Sequence, residues 1–251
     1  KLINELKINY MFYDQISFSE ISYKVVAGFT NRLGGMSNVP YASLNLGRFT
    51  NDPHANANYE LLNHTLIGST NNWCWLKQNH GNNIVEVETP GFKGEGDGLT
   101  TQKTNTFLAV QTADCIPILL AHKNVHFVCA LHAGWRGLHN KIIDKFFQLC
   151  YSRNLQPEDF CAAIGPHLKS CHFEVTKEFL DFFDDRYFIK TDDKIFFNSS
   201  LNVYDQLLQN GINEKQIVHN SPHCTFCQQK LFSYRRDGVT GRQIGFIAIE
   251  N

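Results

Sequence analysis

The chain has 251 residues, 43% of them hydrophobic and 19% charged, with a formal net charge of -1. That balance excludes an extended disordered chain and supplies no global field for nucleic acid or an anionic membrane. No apolar run approaches the roughly 20 residues that span a bilayer, and Lys1 to Tyr10 mixes charges with Leu and Ile instead of forming a signal-peptide core. The expectation is a cytoplasmic globular protein, with one continuous domain over residues 1–251.

In chain order, Tyr23 to Phe29 places Tyr23, Val25, Ala27 and Phe29 on one face, a strand pattern, and Thr30 to Gly35 turns. Asp52-Pro53 opens a helix that carries Leu61, Leu62 and Leu66 inward and stops near Gly68. Thr106 to Thr112, Ile116 to Ala121 and Val125 to Leu131 are strand-like, the last two joined by a hairpin at Lys123-Asn124. Leu138, Ile142, Phe146 and Leu149 or Cys150 then recur at helical spacing. Further helices are expected from Thr176 to about Asp185 and from Ser200 to Asn210, the second ending at Gly211. Strands over Leu231 to Tyr234 and Ile244 to Ile249 close the chain. This order lacks the regular rhythm of βαβ units, and no Rossmann fingerprint, P-loop or Gly-x-Ser-x-Gly occurs. An α+β layered sandwich follows, with mixed β-sheets flanked by helices.

Three stretches carry chemistry. His132-Ala-Gly-Trp-Arg136-Gly ends a strand on an imidazole and delivers a guanidinium one turn later. Thr112-Ala-Asp-Cys115-Ile-Pro sets a carboxylate and a thiol into an apolar segment, and Gln78-Asn-His80-Gly adds a second imidazole. Imidazole nitrogen and thiolate sulfur suit zinc, and His80, Cys115 and His132 would leave one coordination position open for an acidified water. The same Cys115 and His132 also suit a metal-free cysteine hydrolase. A metal-stabilised binding module without catalysis is a third reading. Arg136 and Arg48 are the candidate anion holders, with the Tyr234 to Arg242 loop as a further basic segment. Asp97, in Gly94-Glu-Gly-Asp-Gly98, reads as a turn residue in a loop that could edge a pocket.

Eight cysteines are scattered through the chain, and Cys129, Cys150 and Cys161 read as buried free thiols. Cys224-Thr-Phe-Cys227 has the form of a redox or zinc pair, but no second Cys-x-x-Cys accompanies it, so it reads as structural. His223 is its nearest possible metal partner.

These stretches, with Arg32-x-Gly-Gly-x-Ser37, Pro40-Tyr-x-Ser-Leu-Asn-Leu-Gly47, Ile164-Gly-Pro166, Cys171-x-Phe-Glu-Val175, Ser233-Tyr-Arg-Arg-Asp-Gly and Thr240-Gly-Arg242, resemble the YfiH or multicopper polyphenol oxidase (laccase-domain) family from about Phe29 to Ile249. The resemblance implies the α+β sandwich and a zinc site at His80, Cys115 and His132. It also implies phosphorolysis of adenosine, inosine, guanosine or methylthioadenosine, together with adenosine deamination. The older family name implies copper-dependent phenol oxidation, although eleven histidines without a His-x-His pair fit a multicopper centre poorly. On this reading Asp114 carries a proton, Arg48 and Arg136 hold phosphate, and Asn45 contacts the nucleoside. Asn79 and His167 depart from the family pattern and are expected near the pocket.

Overall fold

A computed structural model describes residues 12–66 and 72–250. Its first sheet runs β1 (Tyr13–Gln15), β2 (Val25–Thr30), β15 (Gln243–Ile249), β7 (Phe107–Thr112), β3 (Trp73–Lys77), β5 (Gly91–Glu95). The second runs β14 (Ile217–Asn220), β10 (Phe160–Ile164), β8 (Ile116–His122), β9 (Val128–Ala133), β6 (Gly98–Thr101), β4 (Ile84–Glu86), and a small antiparallel third sheet runs β11 (Glu174–Val175), β13 (Ile195–Phe197), β12 (Phe188–Lys190). The two large sheets are mixed: β3 pairs parallel with β7 and β5, β10 with β14 and β4 with β6, while their other pairs are antiparallel.

Side-chain alternation along the strands explains the layering. On β8, Leu119 and Ala121 point toward the first sheet, where they meet Leu108 and Val110 of β7 and Ile247 and Ile249 of β15. Ile116, Ile118 and Leu120 point the other way, onto Ile142, Phe146 and Cys150 of one helix and Val203 and Leu207 of another. The outer face of the first sheet, with Trp73, Phe107 and Phe246, is covered by Tyr59 and Leu62 of α1 (Ala55–Leu66). Four layers result, helix on sheet on sheet on helix. Because both faces of β7, β8, β9 and β15 are covered, each is buried along its whole length and shows no polar alternation. Removing a central ring such as Phe146 would cost about 3–5 kcal/mol. Cys129, Cys150 and Cys161 are free and buried in these layers, as expected.

Several elements differ from the sequence reading. The helix after His132 is two pieces, α2 (Trp135–His139) and α3 (Ile142–Tyr151), broken where Lys141 takes a left-handed φ of 60°. The expected helix from Thr176 is a 3-10 turn over Lys177–Phe182 with no buried residue. Its rings Phe179 and Phe183 pack individually on Phe197 instead of forming one apolar stripe. Leu231 to Tyr234 is no strand: Gln243 supplies the partner of the Phe232 amide, and Ser233 caps the short α5 (Tyr234–Asp237) through the Arg236 amide. Helix α4 (Ser199–Gln209) begins at an Asn198 cap and ends before Gly211, where φ is +101°. The expected stop near Gly68 lies outside the described residues.

Candidate active site

The chain crosses from the first sheet to the second between β7 and β8, and Cys115 sits at this crossing, just after Asp114 with φ 105°. His132 is the penultimate residue of β9. His80 follows β3 in a loop fastened to the end of β7, where the Gln78 amide donates to the Gln111 carbonyl and accepts from its N–H, both at 2.7 Å. One ligand atom from each of His80, Cys115 and His132 lies within 4.8 Å of the others. The two imidazole rings stand edge to face at 5.0 Å.

Asp97, fully buried just before β6, organises this convergence. Its Oδ1 lies 2.7 Å from His132 Nδ1 and accepts the His80 N–H at 3.0 Å, while Oδ2 accepts from the Gly81 N–H at 2.6 Å. The carboxylate thus fixes the tautomer of His132, which leaves Nε2 as its ligand atom. It also holds His80 in its uncommon left-handed backbone conformation, φ 63°.

Electrostatics favour a thiolate. Burial pushes the Cys115 thiol up, but the charge of His132 and hydrogen bonds from His132 and His80 outweigh it, leaving about 6. Burial pulls His132 down, yet Cys115 and Asp97 together raise it to about 9. Asp97 is raised by burial and lowered further by His132 and the two backbone N–H groups, so it stays ionised. Two nitrogens and one sulfur, from three elements that all line a cavity, fit zinc with an open position. A Cβ on Gly134 would stand 3.0 Å from the His80 ring and 3.2 Å from the Cys115 sulfur, so only glycine lets the backbone pass this close to the donors.

The three donors sit in a pocket of about 770 Å³, within the size range of small-molecule sites. Phe179, Trp135, Phe173 and Tyr234 supply aromatic walls, and Arg235 and Arg242 bring cations. Gln111 Oε1 accepts from the Arg48 N–H, and its Nε2 is buried without a partner; Thr112 Oγ1 is in the same state. Both residues line the pocket. A buried polar atom without a partner in a pocket-lining residue calls for one.

Residues 26–250 match the family described as multi-copper polyphenol oxidoreductase laccase. The chain belongs to this family. It is 32% identical over 235 residues to a purine nucleoside phosphorylase of Haemophilus influenzae, covering 88% of this chain and 93% of that protein. To the Escherichia coli purine nucleoside phosphorylase YfiH it is 31% identical, covering 89% and 93%. The crystal structure of YlmD from Geobacillus stearothermophilus superposes with a TM-score of 0.89 at 29% identity, covering 96% of this chain and 97% of that one. The expected YfiH-type α+β fold is therefore established.

Within this family fold, the sequence expectations separate. His80, Cys115 and His132 come together. Asp114 reaches the pocket, but its Oδ1 accepts from Thr225 Oγ1 and its Oδ2 from the Arg235 N–H, each at 2.6 Å. Its carboxylate is an anchor for two loops rather than a free proton carrier. Arg136 does not line the pocket: successive helical positions are about 100° apart, so Trp135 faces the cavity and Arg136 lies exposed on the indole, 4.3 Å from its centroid. Arg48 is also outside it, sandwiched between Tyr59 and Trp75 at 3.7 and 4.3 Å and bonded to Asn56. Asn45 is fully buried away from the cavity, accepting the Gly47 and Arg242 N–H groups and donating to Thr50 and Asp52. Its contribution is to position Arg242. Asn79 and His167 are absent from the lining. His167 is fully buried between Gly165 and Ser200, and burial lowers it to about 3, so it is neutral.

Sequence reasoning missed Gln111, placed Asp97 only in a turn that could edge a pocket, noted Thr112 only as the start of the Cys115 stretch, and ranked the segment ending at Arg242 behind Arg136 and Arg48. Asp97 had a signal: a single carboxylate inside a glycine-rich segment that leads directly into a buried strand.

Proposed function

We propose that the pocket is a purine nucleoside phosphorylase site acting on adenosine, inosine, guanosine and methylthioadenosine, with adenosine deamination as a second activity. The observation that carries this reading is the convergence of His80, Cys115 and His132 in a cavity that also offers aromatic faces and two arginines. The relatives named purine nucleoside phosphorylase support the choice of reaction. Zinc held by His80, Cys115 and His132 would supply Lewis acidity and an acidified water.

The chain's own residues do the rest. Phe179 and Trp135, with ring centroids 4.9 Å apart, present faces and edges to a planar base. Arg242, half-buried with Nη1 donating to the Thr240 and Gly241 carbonyls, is held rigidly as an anion holder, and Arg235 is the second. They replace Arg48 and Arg136 as the phosphate-binding pair. Gln111 Nε2 and Thr112 Oγ1 are free to contact the sugar or base. In phosphorolysis a phosphate oxygen bonds the sugar C1′ as the C1′–N9 bond breaks, and the departing base takes a proton. In deamination a water oxygen bonds C6 of adenine and ammonia leaves.

One observation favours a second reading: Asp97, His132 and Cys115 form a carboxylate, imidazole, thiolate series suited to nucleophilic catalysis without metal. Alkylation separates the two. A metal ligand is shielded from iodoacetamide until a chelator is added, and chelation itself stops turnover; a metal-free nucleophile is alkylated directly and survives chelation. A multicopper oxidase finds less support, since the two donor clusters among the described residues hold only three histidines between them.

The test is to incubate metal-quantified protein with adenosine, with and without phosphate. Adenine and ribose 1-phosphate formed only with phosphate support phosphorolysis, and inosine with ammonia supports deamination. Neither product in either mixture would overturn the reading.

A further inference from the structure

A second donor cluster lies outside the pocket. Cys171 and His172 lie in the loop after β10, and Cys224 and Cys227 lie in the segment between β14 and α5. One ligand atom from each of the four lies within 4.8 Å of the other three. The Cys171 and Cys227 sulfurs are 3.9 Å apart, and His172 Nδ1 is 3.2 Å from Cys171 Sγ and 3.4 Å from Cys227 Sγ. A tetrahedron with zinc–sulfur bonds of about 2.3 Å has edges of roughly 3.8 Å between sulfurs, slightly shorter where nitrogen replaces one. The observed spacings are those of such a shell. They are far from the 2.0 Å of a disulfide, and all three thiols are free.

The surroundings fix these donors. The His172 ring stacks on Phe226 at 4.0 Å with 17° between planes, which orients Nδ1. The Gln228 N–H bonds the Cys224 carbonyl, closing the Cys-x-x-Cys turn, and the Thr225 N–H bonds the His167 carbonyl, aligning the two segments. Backbone N–H groups of Lys169, Cys227 and Phe226 interact with the Cys224 sulfur, the usual support of a metal-bound thiolate. A disulfide between any two of the cysteines would leave the third thiol and the imidazole unused in the same shell.

We propose that Cys171, His172, Cys224 and Cys227 form a closed Cys₃His site for a structural zinc ion that staples the loop after β10 to the segment before α5. His172 replaces His223 as the histidine partner of the Cys-x-x-Cys pair. Four protein ligands leave no open position, so the ion is structural. Its place in the fold gives it a consequence for the pocket. Phe173, Glu174 and Val175, immediately after His172, line the cavity, and Arg235 Nη1 donates to the carbonyls of His172 and Glu174 at 3.1 Å. The ion therefore holds one pocket wall and one candidate anion holder in register.

The experiment is zinc counting per chain on the full-length protein, desalted after expression with zinc. The wild type binds about two ions; Cys115→Ala, Cys224→Ser/Cys227→Ser and the combination of all three bind about one, one and none. Comparing Cys115→Ala with the combined variant reads the second site even if the pocket binds no metal. Equal zinc in wild type and Cys224→Ser/Cys227→Ser overturns the proposal, as does a disulfide among Cys171, Cys224 and Cys227 in a non-reduced digest. Cobalt titration of the metal-free wild type needs no variant to fold. Thiolate-to-cobalt charge transfer should grow in two phases, about three quarters of it from a three-sulfur site and the rest from Cys115. Charge transfer from one sulfur alone would overturn it.

Discussion

The two donor clusters are built from the same side-chain types but differ in closure. In the pocket, two imidazoles and one sulfur converge from three separate elements, with a glycine cleared beside them and a cavity on the remaining side. Outside it, three sulfurs and one imidazole come from two segments and supply four donors, enough to fill a tetrahedral shell. The open set suits chemistry and the closed set suits fastening, because the unfilled position alone admits a reacting group. The contrast also separates support. The open set leans on a buried carboxylate, Asp97, whereas the closed set leans on backbone N–H groups and a stacked ring.

Substitutions should split the two clusters along this line. The largest effect is expected for Cys115→Ala, which removes a ligand from the open set: turnover of adenosine with phosphate should fall by about 10³-fold or more, the loss of several kcal/mol of charge stabilisation. The fold should survive, as circular dichroism would check. Asp97→Asn keeps the shape but weakens the orientation of His132, and zinc affinity measured by chelator competition should drop about 10- to 100-fold. For Arg242→Ala, KM for phosphate should rise about 10-fold, the value of one charge-assisted contact, whereas Arg136→Ala should leave it within about twofold. If Arg136 mattered more than Arg242, the assignment of the anion-binding wall would be wrong.

Acidification gives a smaller, graded distinction. The metal-free Cys115 thiol, at about 6, is mainly thiolate above that pH and becomes protonated as pH falls through it. Ligands must be deprotonated to bind. Zinc affinity of the open site should therefore fall by about tenfold per pH unit from roughly 9 down to 6, where His132 must lose its proton, and by about a hundredfold per unit below roughly 6, where Cys115 must lose one as well, read in a variant lacking Cys224 and Cys227 so that one site is measured alone.

The layers and the open donor set were legible in the sequence because strand ends announce themselves. His132 and Cys115 border runs of apolar residues, and a glycine follows each histidine closely. Positions that depend on rotation within a short element were not legible. Arg136 adjoins a pocket residue in sequence, yet one helical step carries it to solvent. Asn45 and Arg48 sit in a loop whose path is set by buried side-chain hydrogen bonds, which leave no periodicity to read. Leu231 to Tyr234 has strand composition, but the Ser233 cap and the Gln243 side chain claim its backbone. The partners of Cys224 and Cys227 were hidden for another reason: Cys171 and His172 lie over 50 residues away and adjoin each other instead of forming a second Cys-x-x-Cys.

Anomalous diffraction at the zinc edge, on crystals of zinc-loaded protein that releases adenine from adenosine in a phosphate-dependent way, addresses the open set most directly. The account predicts a peak about 2.0–2.3 Å from His80, Cys115 Sγ and His132 Nε2, facing the pocket. Active crystals without anomalous density at those three residues would contradict it.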